Sequence, residues 1–309
     1  MSSGKGELAL VEFFRRSAGR DPHRVPIGIG DDMACLRVQA DSILITTDML
    51  LDGVHFDSKQ HTCEQIGRKA IACSLSDCAA MACKPAGAAV SVALSASMGQ
   101  PDAERLFTGM KAVADEFDCP IVGGDTTSWT HPLAIDVSML AEPATPRSPV
   151  RRAGARAGDD VYVTGLLGGS LAGRHLSFTP RVREATVLAR DLRDKLHAMM
   201  DLSDGLSLDL LRLCQAGGVG AELDQALLES AISDAARGAA RDDGKTPLEH
   251  ALHDGEDFEL LFVVEAGTSV PDLGVPHTRA GRITRDALTI RSGTGAVSPL
   301  RPGGYEHFK

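Results

Sequence analysis

Six aspartates, Asp32, Asp48, Asp77, Asp125, Asp201 and Asp204, end or interrupt apolar runs. They sit in Gly28-Ile29-Gly30-Asp31-Asp32, Thr46-Thr47-Asp48, Ser74-Leu75-Ser76-Asp77, Gly123-Gly124-Asp125-Thr126-Thr127 and Asp201-Leu202-Ser203-Asp204-Gly205. Asp254-Gly255-Glu256-Asp257 adds one more acidic cluster. Carboxylates and hydroxyls are hard oxygen ligands of the kind that hold magnesium. Mutual repulsion opposes gathering so many carboxylates without cations, so the set predicts a multi-metal site. Magnesium held by a few carboxylates and by substrate phosphates is the usual arrangement for phosphoryl transfer.

The glycine turns fit that chemistry. Gly28 to Gly30, Gly123-Gly124 and Gly165 to Gly169 would let backbone N–H groups approach phosphate oxygens. The chain holds no Walker P-loop and no protein-kinase HRD or DFG set. Phosphates would be held through metals, glycine backbones and a few cations such as Arg152. Taken singly, most of these residues also have a structural explanation. Ser203 or Asp204 suits a helix N-cap, and Asp125 suits a turn. Asp77 is harder to explain that way, because Leu75, Ala79, Ala80 and Met81 surround it with apolar helix.

The elements that would position these groups alternate between helix and strand. Glu7–Arg16 reads as an amphipathic helix. A short strand over Met33–Val38 and a second apolar run over Ile43–Ile45 form an expected strand pair, the second ending at Thr46-Thr47-Asp48. Helices are predicted over Cys63–Ala82 and from Pro101 to Phe117, with strands over Ala88–Leu94, Pro120–Val122 and Leu133–Leu140. Pro143, Pro146 and Pro149 mark a boundary, predicting domains at 1–145 and 146–309. Beyond it come the strand Asp160–Thr164 and helices over Val182–His197, Asp204–Cys214 and Gln225–Arg241. Further strands are expected over Val219–Leu223, Phe258–Val264 and Thr278–Ile283.

Composition narrows the function classes. At 309 residues, two cores are expected rather than one. The net charge of −10 argues against general binding to nucleic acid or anionic membrane. The seven cysteines lie mostly in apolar stretches and form no CxxC pair, which suits reduced thiols in a cytoplasmic protein. Met1–Leu10 has no leader pattern, and no apolar run reaches membrane-span length.

The ordered set GIGDDMACL, ITTDMLLDGVHF, SLSDCAAM, IVGGDTT, VYVTGLLGGSLAG, MDLSDGLSLDL, HDGEDFELLF and GGYEHF resembles the thiamine-monophosphate kinase family. The likeness spans about Gly28 to Phe308. It implies an α/β (α+β) fold like that of aminoimidazole ribonucleotide synthetase. An N-terminal domain would bind ATP and magnesium and pair its sheet with a second subunit, and a C-terminal α/β domain would follow. The implied reaction is transfer of the γ-phosphoryl of ATP to thiamine phosphate by a homodimer using several magnesium ions.

Asp32, Thr46, Thr47, Asp48, Asp77, Asp125, Asp201 and Asp204 match the family's magnesium ligands, with catalysis resting on Asp48, Asp77 and Asp204. Gly124, Asp125, Arg152 and Ser203 match its ATP contacts. His55, Glu256 and Tyr305 match positions that face thiamine phosphate; by itself, His55 reads as an ordinary histidine. Two departures concern the nucleotide-side loop. Gly169 stands where the family often has an acidic residue, and Leu171–Arg181 is shorter than usual. The competing readings are another ATP-dependent synthetase of the superfamily, and a non-enzymatic nucleotide- or cation-binding module.

Overall fold

The computed structural model describes residues 7–18, 21–29 and 33–306. Asp32 and Phe308 lie outside the described residues. The chain divides into two compact units, one running up to Leu75 and again over Lys84–Pro143, the other over Ser76–Cys83 and from Ala144 onward.

The elements α1 (Glu7–Ser17), β1 (Leu44–Leu51), α2 (Cys63–Ala80), β2 (Cys83–Ser95), α3 (Gln100–Glu116), β3 (Ile121–Trp129) and β4 (Ala134–Pro143) build the first unit. Its sheet has the order β1-β4-β2-β3, which leaves β1 and β3 at the edges. β1 runs antiparallel to β4, and β2 runs parallel to β3.

Three expectations change here. Met33–Val38 is not a strand; it makes one isolated bridge, Ile27 with Cys35, and Met33 and Val38 are exposed. β1 does not stop at Thr46-Thr47-Asp48, because its register with β4 continues through Thr46 opposite Met139 and Asp48 opposite Val137. Gly123-Gly124 is not a turn but lies inside β3. A Cβ on Gly124 would sit 1.9 Å from the Val90 carbonyl oxygen, so glycine there lets the two strands approach.

Glycine also sets the crossing of α2 and α3. A Cβ on Gly67 would lie 2.0 Å from the Leu106 carbonyl oxygen, and one on Gly109 would lie 2.0 Å from that of Glu64. The two backbones touch with no side chain between them. Gly109→Ala must push the helices apart, and we expect a loss of about 2–3 kcal/mol in denaturant unfolding. An unchanged midpoint would show that the crossing yields without cost.

The second unit contains β5 (Asp160–Thr164), α4 (Val182–Leu192), β6 (Leu196–Asp201), α5 (Leu206–Gly217), β7 (Gly220–Asp224) and α6 (Gln225–Leu228). There follow α7 (Asp234–Asp243), α8 (Pro247–His253), β8 (Leu260–Val264), β9 (His277–Thr284), β10 (Leu288–Arg291) and β11 (Val297–Pro299). The sheet order is β11-β10-β7-β9-β5-β8-β6. Val161, Val163, Met200, Leu210, Leu261 and Val263 are among its buried core.

The helix expected over Val182–His197 ends at Leu192, and its tail opens β6. All six residues of β6 are buried, and such a short buried run has no period to separate strand from helix. Gln225–Arg241 splits in two, because Ser233 caps α7 through the Ala236 N–H at 2.9 Å. α8 was not foreseen, although Thr246 and Glu249 form its capping box.

Candidate active site

In the first unit, strand alternation sorts the β1 residues. Thr46, Asp48 and Leu50 share the more sheltered face, while Ile45, Thr47 and Met49 point the other way and are exposed. Asp48 accepts a hydrogen bond from the buried Ser74 hydroxyl of α2 at 2.5 Å. Thr47 donates instead to Asp136 of β4 at 2.9 Å, so its hydroxyl does not join the side chains of Thr46 and Asp48. Asp125 lies exposed on the edge strand β3, opposite Ser91. His55 follows β1 in a tight turn, its Nδ1 accepting the Leu51 N–H at 3.0 Å.

In the second unit, Asp201 ends β6 at 4% exposure and accepts from the Ser76 hydroxyl at 2.7 Å. Burial pushes its carboxyl well above the usual range, and the Asp77 and Asp209 charges add to this; Ser76 and Arg152 act in the opposite sense. A buried carboxylate facing a second carboxylate is a place where a cation would relieve charge.

The next segment turns into α5. Asp204 is not an N-cap, since Gly205 takes that position without a side-chain cap. The capping acceptor is Asp209, which takes the N–H groups of Asp204 and Gly205 at 3.0 and 3.1 Å. Arg212 pairs with both Asp204 and Asp209. Burial pushes the Asp209 carboxyl up to about 6, with the Asp204 charge also raising it and the two N–H bonds and Arg212 lowering it. Sequence reasoning missed Asp209 and Arg212. The signal was there, because Asp209 interrupts an apolar helix as Asp77 does.

Three distant segments meet at Ser203-Asp204. Glu256 donates its backbone N–H to the Ser203 carbonyl at 2.7 Å, and Tyr305 donates its own to the Asp204 carbonyl at 3.1 Å. A Cβ on Gly304 would fall 2.2 Å from that same Asp204 oxygen. Backbone bonds thus bring Ser203, Asp204, Glu256 and Tyr305 together. Arg152 is exposed and reaches Asp201 through its charge.

The glycine loop Gly165–Gly169 departs from expectation. Four of its five N–H groups are already bonded within the fold. Gly165 bonds the Pro276 carbonyl and Leu167 that of Ala231, at 2.8 and 2.7 Å. Gly168 donates to Asp257 at 3.0 Å and Gly169 to Asp254 at 2.8 Å. The loop is held from below by the acidic cluster, with Ser170 also donating to Asp257 at 2.5 Å. Beside it, buried Glu259 takes Arg174, Arg181 and the Thr164 hydroxyl.

Burial pushes the Asp257 carboxyl up to about 7, Glu259 adding to the rise while Ser170, Gly168 and Arg174 oppose it. A carboxyl raised this way contributes stability that is complete below its ordinary value and is lost as pH climbs through the raised one. Wild type should therefore lose up to roughly 1.4 kcal/mol per pH unit between about pH 4 and pH 7 from this group. Asp257→Asn should flatten that slope in denaturant titrations. An unchanged slope would place the pH dependence elsewhere.

Among the described residues, no three His, Cys, Asp or Glu side chains converge closely enough to hold a metal ion. None of their helices is long and apolar enough to cross a membrane.

Comparison with known proteins defines the class first. The AIR synthase related protein family matches through its N-terminal domain over residues 30–142 and its C-terminal domain over residues 155–270, and the chain belongs to that family. A thiamine-monophosphate kinase of Rhodopirellula baltica is 40% identical over 307 residues, covering 95% of each chain. Within the wider family, the chain belongs with the thiamine-monophosphate kinases. The crystal structure of that kinase from Stenotrophomonas maltophilia K279a superposes with a TM-score of 0.78 at 31% identity, covering 95% of this chain and 98% of the other. AaThiL complexed with AMPPCP and TMP gives 0.75 at 30% identity, covering 98% and 97%.

Proposed function

We propose that this chain transfers the γ-phosphoryl group of ATP to thiamine phosphate, forming thiamine diphosphate and ADP. The observation that carries the reading is the meeting of Ser203-Asp204 with Glu256 and Tyr305 by backbone bonds. Residues matched to the nucleotide and metal thereby stand beside residues matched to the acceptor. A relative bound to an ATP analogue and TMP supports the same pair of substrates.

An oxygen of the acceptor phosphate bonds to the γ-phosphorus, and the bond to the bridging β–γ oxygen breaks, with its electrons leaving on ADP. The acceptor phosphate is mostly dianionic at neutral pH, since its second pKa is about 6. It therefore needs no general base, only charge neutralisation and in-line alignment. Glu256 suits the cationic thiazolium or a pyrimidine amine, Tyr305 offers a ring face, and His55 offers a ring N–H. Gly124, Asp125, Arg152 and Ser203 hold the nucleotide.

The oxygen-rich donors fit magnesium, above all the buried Asp201 faced by the Asp77 charge. Asp32, Thr46, Asp48, Asp77, Asp125, Asp201 and Asp204 would hold the ions, with Thr47 less suited because its hydroxyl is turned to Asp136. When bound, magnesium neutralises phosphate charge. The pairing partner is a second copy of this chain. β1 is a sheet edge that exposes Ile45 at 73% and Met49 at 62%. Sedimentation showing only monomer would remove that part.

The test is chromatography of purified protein with ATP, magnesium and thiamine phosphate. Equal appearance of ADP and thiamine diphosphate supports the reading. ADP without thiamine diphosphate points to another synthetase, and neither product points to a binding module. Labelled protein recovered from γ-labelled ATP without acceptor would refute direct transfer.

A further inference from the structure

His197 of β6 is 5% exposed, and its Nε2 has no hydrogen-bond partner among the described residues. A buried ring nitrogen left unbonded costs free energy and calls for an explanation. The other nitrogen supplies one. Nδ1 lies 2.6 Å from Oδ2 of Asp159, which is also 5% exposed. A carboxylate only accepts, so Nδ1 carries the proton and Nε2 of the neutral ring is a bare lone pair. No step of the proposed reaction uses this pair, so what it holds in place becomes the question.

It holds the loop that leads into β5. Near the start of that loop, Val150 donates its N–H to the Met81 carbonyl at 2.9 Å, and the Arg151 carbonyl accepts the Met199 N–H at 3.1 Å. Further on, Gly154 has φ +139°, and a Cβ there would lie 2.4 Å from the His197 carbonyl oxygen, so loop and strand backbones touch. At the end of the loop, Oδ2 of Asp159 also takes the Arg156 N–H at 2.7 Å, and Asp159 returns its own N–H to the Arg156 carbonyl at 3.0 Å. His197 is the extra residue of a bulge, since Leu196 pairs with Val264 and Ala198 with Val263. Arg152 sits between the tie at Arg151 and the contact at Gly154, and its charge acts on the buried Asp201.

We propose that His197 and Asp159 are positioning residues for the nucleotide. The buried ring, acting through Asp159, fixes the loop so that the Arg152 guanidinium meets the phosphates of ATP. This rests on the reading of Arg152 as a nucleotide contact. An apolar residue in place of His197 would leave Asp159 a buried carboxylate with one donor fewer. The carboxylate would then turn toward water, and the Arg156 N–H bonded to it would follow, carrying the loop along.

The experiment compares wild type with His197→Leu, His197→Asn, Arg152→Ala and the double variant of His197→Leu with Arg152→Ala. It reads the two KM values, the Kd of a non-hydrolysable ATP analogue with magnesium, and the 15N signals of the His197 ring. His197→Leu should raise KM for ATP and Kd for the analogue about tenfold, the size of one phosphate contact misplaced, and leave KM for thiamine phosphate unchanged. Asparagine, whose side-chain amide reaches the place of Nδ1, should restore both. In the Arg152→Ala background the leucine should add nothing, because the pair acts through that guanidinium. The wild-type ring signals should show a proton on Nδ1 and none on Nε2.

A wild-type KM for ATP in folded His197→Leu overturns the proposal, as does an equal rise in both KM values. A full further rise in the double variant, or an asparagine variant no better than the leucine one, overturns it too. If His197→Leu yields no folded protein, the wild-type ring signals decide, and a proton on Nε2 rather than Nδ1 overturns the proposal without any variant. Wild type that makes no thiamine diphosphate refutes the functional reading instead, and the Kd values for the ATP analogue still judge the pair.

Discussion

Asp201→Asn should lower turnover roughly 10²–10³-fold while leaving a protein that, without magnesium, melts no earlier than wild type. The two halves of that result come from one environment. Asp201 is buried at the end of β6, bonded by Ser76 and faced by the charge of Asp77. Asparagine keeps the shape and can still accept from Ser76. It removes a desolvated negative charge that has a like neighbour, so the metal-free fold loses a strain rather than a support. Magnesium should stabilise wild type by mass action and do little for the variant. Calorimetric melts with and without magnesium, alongside ADP release, read both effects. A variant with a tenth of normal turnover, or one that magnesium stabilises as strongly as wild type, would contradict the assignment of Asp201 to the metal.

Glu256→Gly should weaken thiamine phosphate binding about 10- to 100-fold, the scale of one charge-assisted contact, without loss of stability. Glu256 has φ +57°, and Gly255 and Phe258 beside it have +72° and +50°. A side chain in that region costs on the order of 1–2 kcal/mol, which glycine would release. Glycine also gives the unfolded chain more freedom, which offsets about 0.5–1 kcal/mol. The net expectation is a melting temperature equal to or slightly above that of wild type. Glu256→Gln keeps the strain and loses only the charge, so it separates the two contributions. A wild-type KM for thiamine phosphate in Glu256→Gly would end the case for this residue as a substrate contact.

The strained turn shows what a sequence conceals. The segment Asp254-Gly255-Glu256-Asp257 is readable as an acidic cluster, yet its carboxylates do not all do the same work. Asp254 and Asp257 hold the amides of Gly169 and Gly168, and Glu256 bonds the Ser203 carbonyl through its backbone N–H. Nothing in the spacing separates a carboxylate that anchors a loop from one that does not. The helices α2 and α3 were legible because their apolar periods are long. β6 was not, since a six-residue buried run fits either helix or strand. Thr47 enters the magnesium set with Thr46 and Asp48 through the family resemblance, and the two-residue period of β1 turns it to the opposite face. The hydroxyls of Ser74 and Ser76 stood in a quoted motif, but their partners, Asp48 and Asp201, are set by tertiary packing.

The glycine crossing of α2 and α3 bears on how freely this sequence can drift. α2 carries Lys69, Ser74, Ser76 and Asp77 on one continuous rod. Its seat against α3 is a contact of backbone on backbone at Gly67 and Gly109. Elsewhere on the two helices, the buried Ile66 and Met110 can exchange for side chains of similar volume, because the loss is small and repacking absorbs it. At the two glycines the permitted alphabet has one letter. A descendant that altered either position would have to move the helix that bears the candidate site residues, so its chemistry would be tied to two positions that carry no chemistry at all.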